Sequence, residues 1–283
     1  MRWSLIVATM GRTTAVAELL ASLARQTVRS FRVILVDQNL DERLQPIVGP
    51  WQGKMEILHL RIPPRGVSQA RNDGLAHIGD SELVAFPDDD AAYEPETLAQ
   101  AEAVFARHPR VSAILGEWLI MGNPLPEFIG DPLEAQPVSK IGCLYRSPTF
   151  VLFFRREAVD RAGGFDEALG PGAGTPWLCG EDTDYLLRAS GIHGSAARAL
   201  AVRVFHPSVD GSSYGYEGKA YGYGRGRMRI LRKHAYPFWL ELIHLLHPLV
   251  GCVFASPFRR RFRWHLFKGR VRELLTPWRR VQA

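Results

Sequence analysis

Apolar residues arrive in short blocks separated by stretches of helical period. Ser4–Ala8 is a brief apolar run, and the stretch after it, to about Gln26, places Val16, Leu19, Leu20 and Leu23 on one helical face. Phe31–Val36 (FRVILV) is continuous and β-branched, which suits a strand buried on both sides. Glu56–Leu60 reads as a third strand, Ser68–His77 as a helix and Leu83–Phe86 as a fourth strand. Glu94–Arg107 is expected as a helix with an acidic first turn that stops before Pro109, and Val111–Leu119 as a strand. This alternation predicts a parallel, doubly wound α/β sheet. Beyond residue 120 the pattern loosens. Met121–Ser147 reads as loop, Phe150–Phe154 as a strand, Gly163–Gly180 as a glycine-laden loop, Glu181–Ser190 as a helix and Ala199–Phe205 as a last strand.

A chain of 283 residues, 46% hydrophobic, can bury a core without staples. Its three cysteines form no CxxC pair, so a disulfide scaffold or zinc knuckle is not expected and a reducing compartment is. The apolar stretch Leu5–Met10 is too short for a signal segment. The net charge of +6 conceals a division: residues 225–283 carry 14 Lys and Arg against Glu241 and Glu273, which leaves the first 224 residues net acidic. The acidic body is no DNA-binding surface, and nucleic acid is set aside as a partner.

In a doubly wound sheet, ligands sit beyond the carboxyl ends of the strands. Thr9 and Arg12 follow the first strand, Asp37 and Asn39 the second, and Asp88, Asp89 and Asp90 the fourth. Three adjacent carboxylates repel, and burying one unpaired is costly. A hard divalent cation would resolve the conflict, with Asp88 and Asp90 on one side of an extended segment. The competing reading is a solvated turn after Pro87. Glu181, Asp182 and Asp184 are either helix-start acids that favour the dipole or the source of a general base beside a glycine loop. Asp37 reads as a turn former and His206 as either a turn residue or a ligand. Gly211–Gly215 (GSSYG) matches GxSxG without a clear strand-to-helix turn, and Gly222–Gly226 is no dinucleotide fingerprint.

Taken together, these segments resemble family 2 glycosyltransferases, inverting enzymes of the GT-A fold. SLIVATMGR, VILVDQN, RGVSQARNDGL, FPDDD, and GGFDEALGPG followed by GEDTDYLLR are similar to that family's motifs in order, over roughly residues 3–215. The resemblance implies a doubly wound mixed, mostly parallel sheet over residues 1–217, with a nucleotide-sugar half to about 120 and an acceptor half from 121. It implies Thr9, Arg12, Asp37, Asn39, Arg71, Asn72, Asp88 and Asp89 near the donor nucleotide. Asp90 and Asp88 would hold Mn2+ or Mg2+, joined by His206, and Asp182 would be the base, with Glu181 as the alternative. The implied reaction moves a sugar from a nucleotide-diphosphate donor, UDP or dTDP favoured, to a hydroxyl of a glycan or lipid-linked acceptor in cell-surface polysaccharide or lipopolysaccharide synthesis. An inactive glycan- or nucleotide-binding relative is the alternative. A sugar nucleotidyltransferase ranks lower, because ATMGRTTAV is poor in the glycines its phosphate loop would need.

Residues 218–283 form a basic, helical C-terminal region. Phe238–Phe258 has the length of a membrane span, but Glu241, His244, His247 and Pro248 interrupt it, and Trp239, Trp264 and Arg259–Arg261 flank or follow it. An interfacial helical pair on an anionic membrane surface is expected, with the enzyme cytoplasmic and peripheral to the inner face of the membrane. The alternatives are a re-entrant hairpin and helices packed on the catalytic domain or on the second chain of a homodimer.

Overall fold

The computed structural model describes residues 1–123, 130–145, 147–191, 195–207, 217–253 and 256–277; the GSSYG match lies outside them. The chain divides into two compact units, residues 1–165 with 185–208, and residues 166–184 with 209–283.

The first unit is built on a sheet of nine strands among the described residues. In chain order they are β1 (Trp3–Thr9), β2 (Phe31–Asp37), β3 (Glu56–Arg61), β4 (Leu83–Ala85), β5 (Ala92–Tyr93), β6 (Ala113–Ile120), β7 (Gln136–Pro137), β8 (Leu152–Arg155) and β9 (Ala196–His206). Their order across the sheet is β3-β2-β1-β4-β8-β6-β9-β5, with β7 also on β9. The sheet is mixed α/β. Parallel pairing fills the β3-β2-β1-β4 half, which the strand–helix alternation predicts, and recurs between β6 and β9. β8 runs antiparallel between β4 and β6, and β5 and β7 run antiparallel to β9. Antiparallel neighbours need no crossover helix, which is why the irregular second half can still add strands.

Helices α1 (Thr14–Leu23), α2 (Gln45–Val48), α3 (Val67–Leu75), α4 (Thr97–Arg107), α5 (Lys140–Cys143), α6 (Arg156–Ala162) and α7 (Glu181–Ser190) accompany the strands. Alternate residues of β1 and β2 enter separate cores: Trp3, Leu5, Val7, Val33 and Leu35 pack with α1 and α4, while Ile6, Ile34 and Val36 pack with α3, α6 and α7. Gly74 lets α3 lie close on β1, since a β-carbon there would stand 2.4 Å from Ile6 Cγ2. Two expectations need correction. α4 begins at Thr97 and has no acid in its first turn, because residues 94–96 form a turn tied to the segment that follows α1: Gln26 Nε2 donates to the Glu94 carbonyl (2.6 Å), and Leu98 N–H donates to Gln26 Oε1 (3.1 Å). The expected loop Met121–Ser147 contains β7 and α5, the latter capped by Ser139 Oγ accepting from Gly142 N–H at 3.1 Å.

The second unit holds α8 (Glu217–Lys233), α9 (Phe238–Val253) and α10 (Pro257–Leu275). No helix among the described residues is long and apolar enough to cross a membrane. The GYGRG sequence is a packing device. A β-carbon on Gly224 would meet the Leu266 carbonyl at 2.2 Å, and one on Gly269 the Tyr221 carbonyl at 2.1 Å, so α8 and α10 touch backbone to backbone. Pro248 cannot donate to the carbonyl of His244 four residues earlier, and Arg270 Nη1 of α10 donates to that oxygen instead. Glu273, almost wholly buried, accepts from Arg225 Nε and Trp177 Nε1, both at 2.9 Å.

Gly224→Ala should destabilise the fold by about 1–3 kcal/mol, because the group it meets is backbone and cannot turn aside; urea unfolding followed by helical circular dichroism measures this. Burial first, then Arg227, Arg270 and His247, pushes the His244 pKa down to about 4. The unfolded chain therefore binds a proton that the fold excludes between about pH 6.5 and 4, so this site costs stability as pH falls through that window. His244→Gln should flatten the fall in melting temperature across that range relative to the parent chain.

Candidate active site

Strand order reverses direction around β1, with β2 on one side and β4 on the other, and the acidic triplet follows β4 at that switch point. Asp88, Asp90 and His206 each turn one ligating atom inward, all within 4.8 Å of one another. His206 Nε2 lies 3.1 Å from Asp90 Oδ1 and 3.9 Å from Asp88 Oδ2. Asp89 faces elsewhere: it accepts from Thr9 Oγ1 and Arg12 Nη1, both at 2.7 Å. Arg12 also pairs with Asp90, so one guanidinium ties the end of β1 to two of the three acids. Arg71, buried on α3, donates to Asp88 Oδ1 at 3.0 Å and to Thr149 Oγ1, and lies over the Phe165 ring.

These contacts sort the acids electrostatically. Burial raises the Asp89 pKa despite Thr9 and Arg12. At Asp90 burial is also the largest influence, but the His206 hydrogen bond and the charges of His206 and Arg12 outweigh it, and the carboxyl titrates below its ordinary range. Burial opposes charge on His206 too, yet the Asp90 hydrogen bond, the Pro207 carbonyl and both neighbouring acids carry its pKa upward. Two carboxylates and one imidazole, drawn together at the end of a buried strand, form a donor set that could hold a divalent metal ion.

Composition did not reveal what steadies His206. Its ring stacks on Phe150 at 4.3 Å and 11°, and Trp118 meets it edge-on at 5.8 Å. Trp118 and Phe150 come from β6 and the turn before β8, and no local motif marks either one.

The remaining donor-side residues fall into different surroundings. Asp37 is fully buried and accepts from Asn39 N–H (2.8 Å) and Nδ2 (2.7 Å), with His59 Nε2 2.9 Å from its other oxygen. Asn39 Oδ1 in turn accepts from Gly11 N–H at 2.7 Å, which fixes the turn after β1. Gly11 takes φ +78°, a conformation that favours glycine. Asn72 pairs with the backbone of Phe165, its Nδ2 donating to the carbonyl (3.0 Å) and its Oδ1 accepting from the N–H (2.6 Å). Gly164 accommodates it, since a β-carbon there would stand 3.1 Å from Asn72 Oδ1.

The first turn of α7 carries Glu181, Asp182 and Asp184. Asp184 is fully buried, and its Oδ1 meets Lys233 Nζ at 2.7 Å and His234 Nε2 at 2.8 Å, so this acid anchors α8. Glu181 is buried, and Asp182 is partly exposed.

The model of glycosyl transferase family 2 matches residues 4–156. The chain belongs to glycosyl transferase family 2. Among curated relatives, this family 2 chain is 32% identical over 118 residues to a PGL/p-HBAD biosynthesis glycosyltransferase of Mycobacterium tuberculosis, covering 41% of this chain and 46% of that one. It is 27% identical over 190 residues to an uncharacterized glycosyltransferase of Haemophilus influenzae, covering 65% and 60%. The match thus spans about half the length of the curated relatives. Two solved structures share the fold. Mannosyltransferase PcManGT from Pyrobaculum calidifontis, in complex with GDP-Man and Mn2+, has a TM-score of 0.67 and 17% identity over 97% of this chain and 87% of that one. S. aureus TarS 1-349, in complex with UDP-GlcNAc, has a TM-score of 0.59 and 20% identity over 96% and 72%. The sheet of this family 2 chain is therefore of the GT-A type.

Asn72→Ala would strand the buried N–H and carbonyl of Phe165. It should cost about 1–3 kcal/mol of stability, read from the urea midpoint.

Proposed function

We propose that this chain transfers a sugar from a nucleoside-diphosphate donor to a hydroxyl of a glycan or lipid-linked acceptor, with inversion at the anomeric carbon. The observation that carries the reading is the convergence of Asp88, Asp90 and His206 beyond β4 in a chain of family 2. The donors named for the two neighbouring structures, GDP-Man and UDP-GlcNAc, support a nucleoside diphosphate sugar as the substrate class. The biosynthetic name of the mycobacterial relative supports a role in building surface glycans.

In this reading Asp90, Asp88 and His206 hold Mn2+ or Mg2+. The chemistry a cation would supply when held there is neutralisation of charge on the departing diphosphate. Arg12 and Arg71 keep the acids from repelling one another apart, and Phe150 keeps the imidazole in plane. Thr9, Arg12, Asn39 and Asp89 line the donor side, while Asp37 acts through Asn39. Asp182 takes the proton of the acceptor hydroxyl as its oxygen bonds to the anomeric carbon and the bond from that carbon to the diphosphate oxygen breaks. A single displacement of this kind inverts the centre and requires no enzymic nucleophile. Glu181, buried beside it in sequence, is the alternative base.

The test is a thermal-shift panel of UDP, dTDP, GDP and CMP, each with Mn2+ and with EDTA. A ligand at 100 times its Kd stabilises by about 2.7 kcal/mol, several degrees for a protein of this size. One nucleoside diphosphate should shift the melt only with metal, and Asp90→Asn should abolish that shift. Asp182→Asn should keep the nucleotide shift while lowering release of nucleoside diphosphate from the matching sugar donor by at least about a thousandfold. A folded sample that responds to none of the four nucleotides would overturn the proposal.

A further inference from the structure

Among the described residues of the second unit, one face of α9 is exposed. On α9, Leu240, His244 and Pro248 repeat every four residues and are buried. The opposite side presents Trp239, Leu242, Ile243, Leu246 and Val250 at spacings that keep them within an arc of roughly 100°. All five are exposed, Trp239 to 52% and Val250 to 63%. An apolar stripe three turns long facing water marks a binding surface.

The charge beside the stripe identifies what it binds. α10 starts directly after α9, and Arg259, Arg260 and Arg261 in its opening turns are exposed. The Arg263 guanidinium lies against Gly251, so positive charge reaches the C-terminal end of α9, on the side that carries Leu240 and His244. Trp264, exposed, stacks on Phe267 with Lys268 over its ring. Of the two acids in residues 225–283, Glu273 is buried and engaged by Arg225, so it does not offset the basic surface. Two copies of this face brought together would oppose two arginine clusters.

We propose that α9 and the opening turns of α10 seat the protein on an anionic lipid bilayer, with the stripe at the acyl boundary and the arginines among the headgroups. This surface belongs to the second unit alone and does not rest on the sugar-transfer reading. Seated this way, the chain would lie at a bilayer surface, where a lipid-linked acceptor would be within reach.

The experiment is co-sedimentation of the full chain with vesicles of phosphatidylcholine alone, and of phosphatidylcholine mixed two to one with phosphatidylglycerol. Binding should require the anionic lipid and weaken with added salt. Replacing Arg259, Arg260 and Arg261 together by alanine should weaken it on the order of a hundredfold. Replacing Leu242, Ile243 and Leu246 together by serine should abolish binding without lowering the melting temperature, since all three are exposed. Equal binding to both vesicles, or binding to neither, would overturn the proposal. So would a dimer in sedimentation equilibrium that the serine variant dissolves, because the stripe would then cover itself. Running the nucleotide panel on the same sample separates this failure from failure of the sugar-transfer reading.

Discussion

Mutual repulsion of three consecutive carboxylates at the end of a buried strand is the constraint around which the first unit is organised. Asp88, Asp89 and Asp90 cannot all remain ionised there without compensation. The chain draws that compensation from distant segments: Arg12 and Thr9 from the end of β1, Arg71 from α3, and His206 from the end of β9. Each of these groups is placed by an element whose apolar residues are fixed in one of the two cores. The acidic cluster therefore depends on the register of β1 against β2 and of β9 against β6. A slip of either by one residue would turn its polar end groups to the opposite face.

The compensation is unequal, and the inequality has chemical content. Asp89 has the Thr9 hydroxyl to itself, shares the Arg12 guanidinium with Asp90, and does not join the other two at His206. Asp88 and Asp90 face an imidazole held flat by Phe150, and it is this trio that can share a cation. Aromatic packing governs the charge geometry from below, since Arg71 reaches Asp88 while lying over Phe165, and Phe165 is held by Asn72. A polar pair adjacent in sequence thus does two jobs, one facing the acids and one fastening a loop.

The second unit follows a different economy of contact. Glycines on α8 and α10 remove side chains where the helices cross, so the buried surface there is largely backbone. Arg270 fills the hydrogen bond that Pro248 vacates, so a residue that would bend a helix becomes an attachment point. With its inner face committed in this way, α9 keeps apolar residues on the outside, and the basic opening of α10 meets the C-terminal end of α9.

The order of the early strands and helices was legible because each is long enough to show its period, and continuous apolar text in β1 and β2 marks burial on both faces. The acidic triplet, Arg12, and the helix carrying Arg71 and Asn72 were legible as motifs because chemistry at a strand end requires particular residue types at close spacing. Sequence alone could not say that Asp37 would be enclosed by Asn39 and His59, that Asn72 would grip Phe165, or that Trp118 and Phe150 would hold His206. These pairings join residues separated by up to 93 positions and leave no local pattern. The short elements β5, β7 and α5 were equally silent, since two to four residues carry no period. What the sequence determined was the set of elements and the charges at their ends. Which of those charges meet was decided only by the sheet, because order and register across strands set the distances on which Coulombic and hydrogen-bond energies depend.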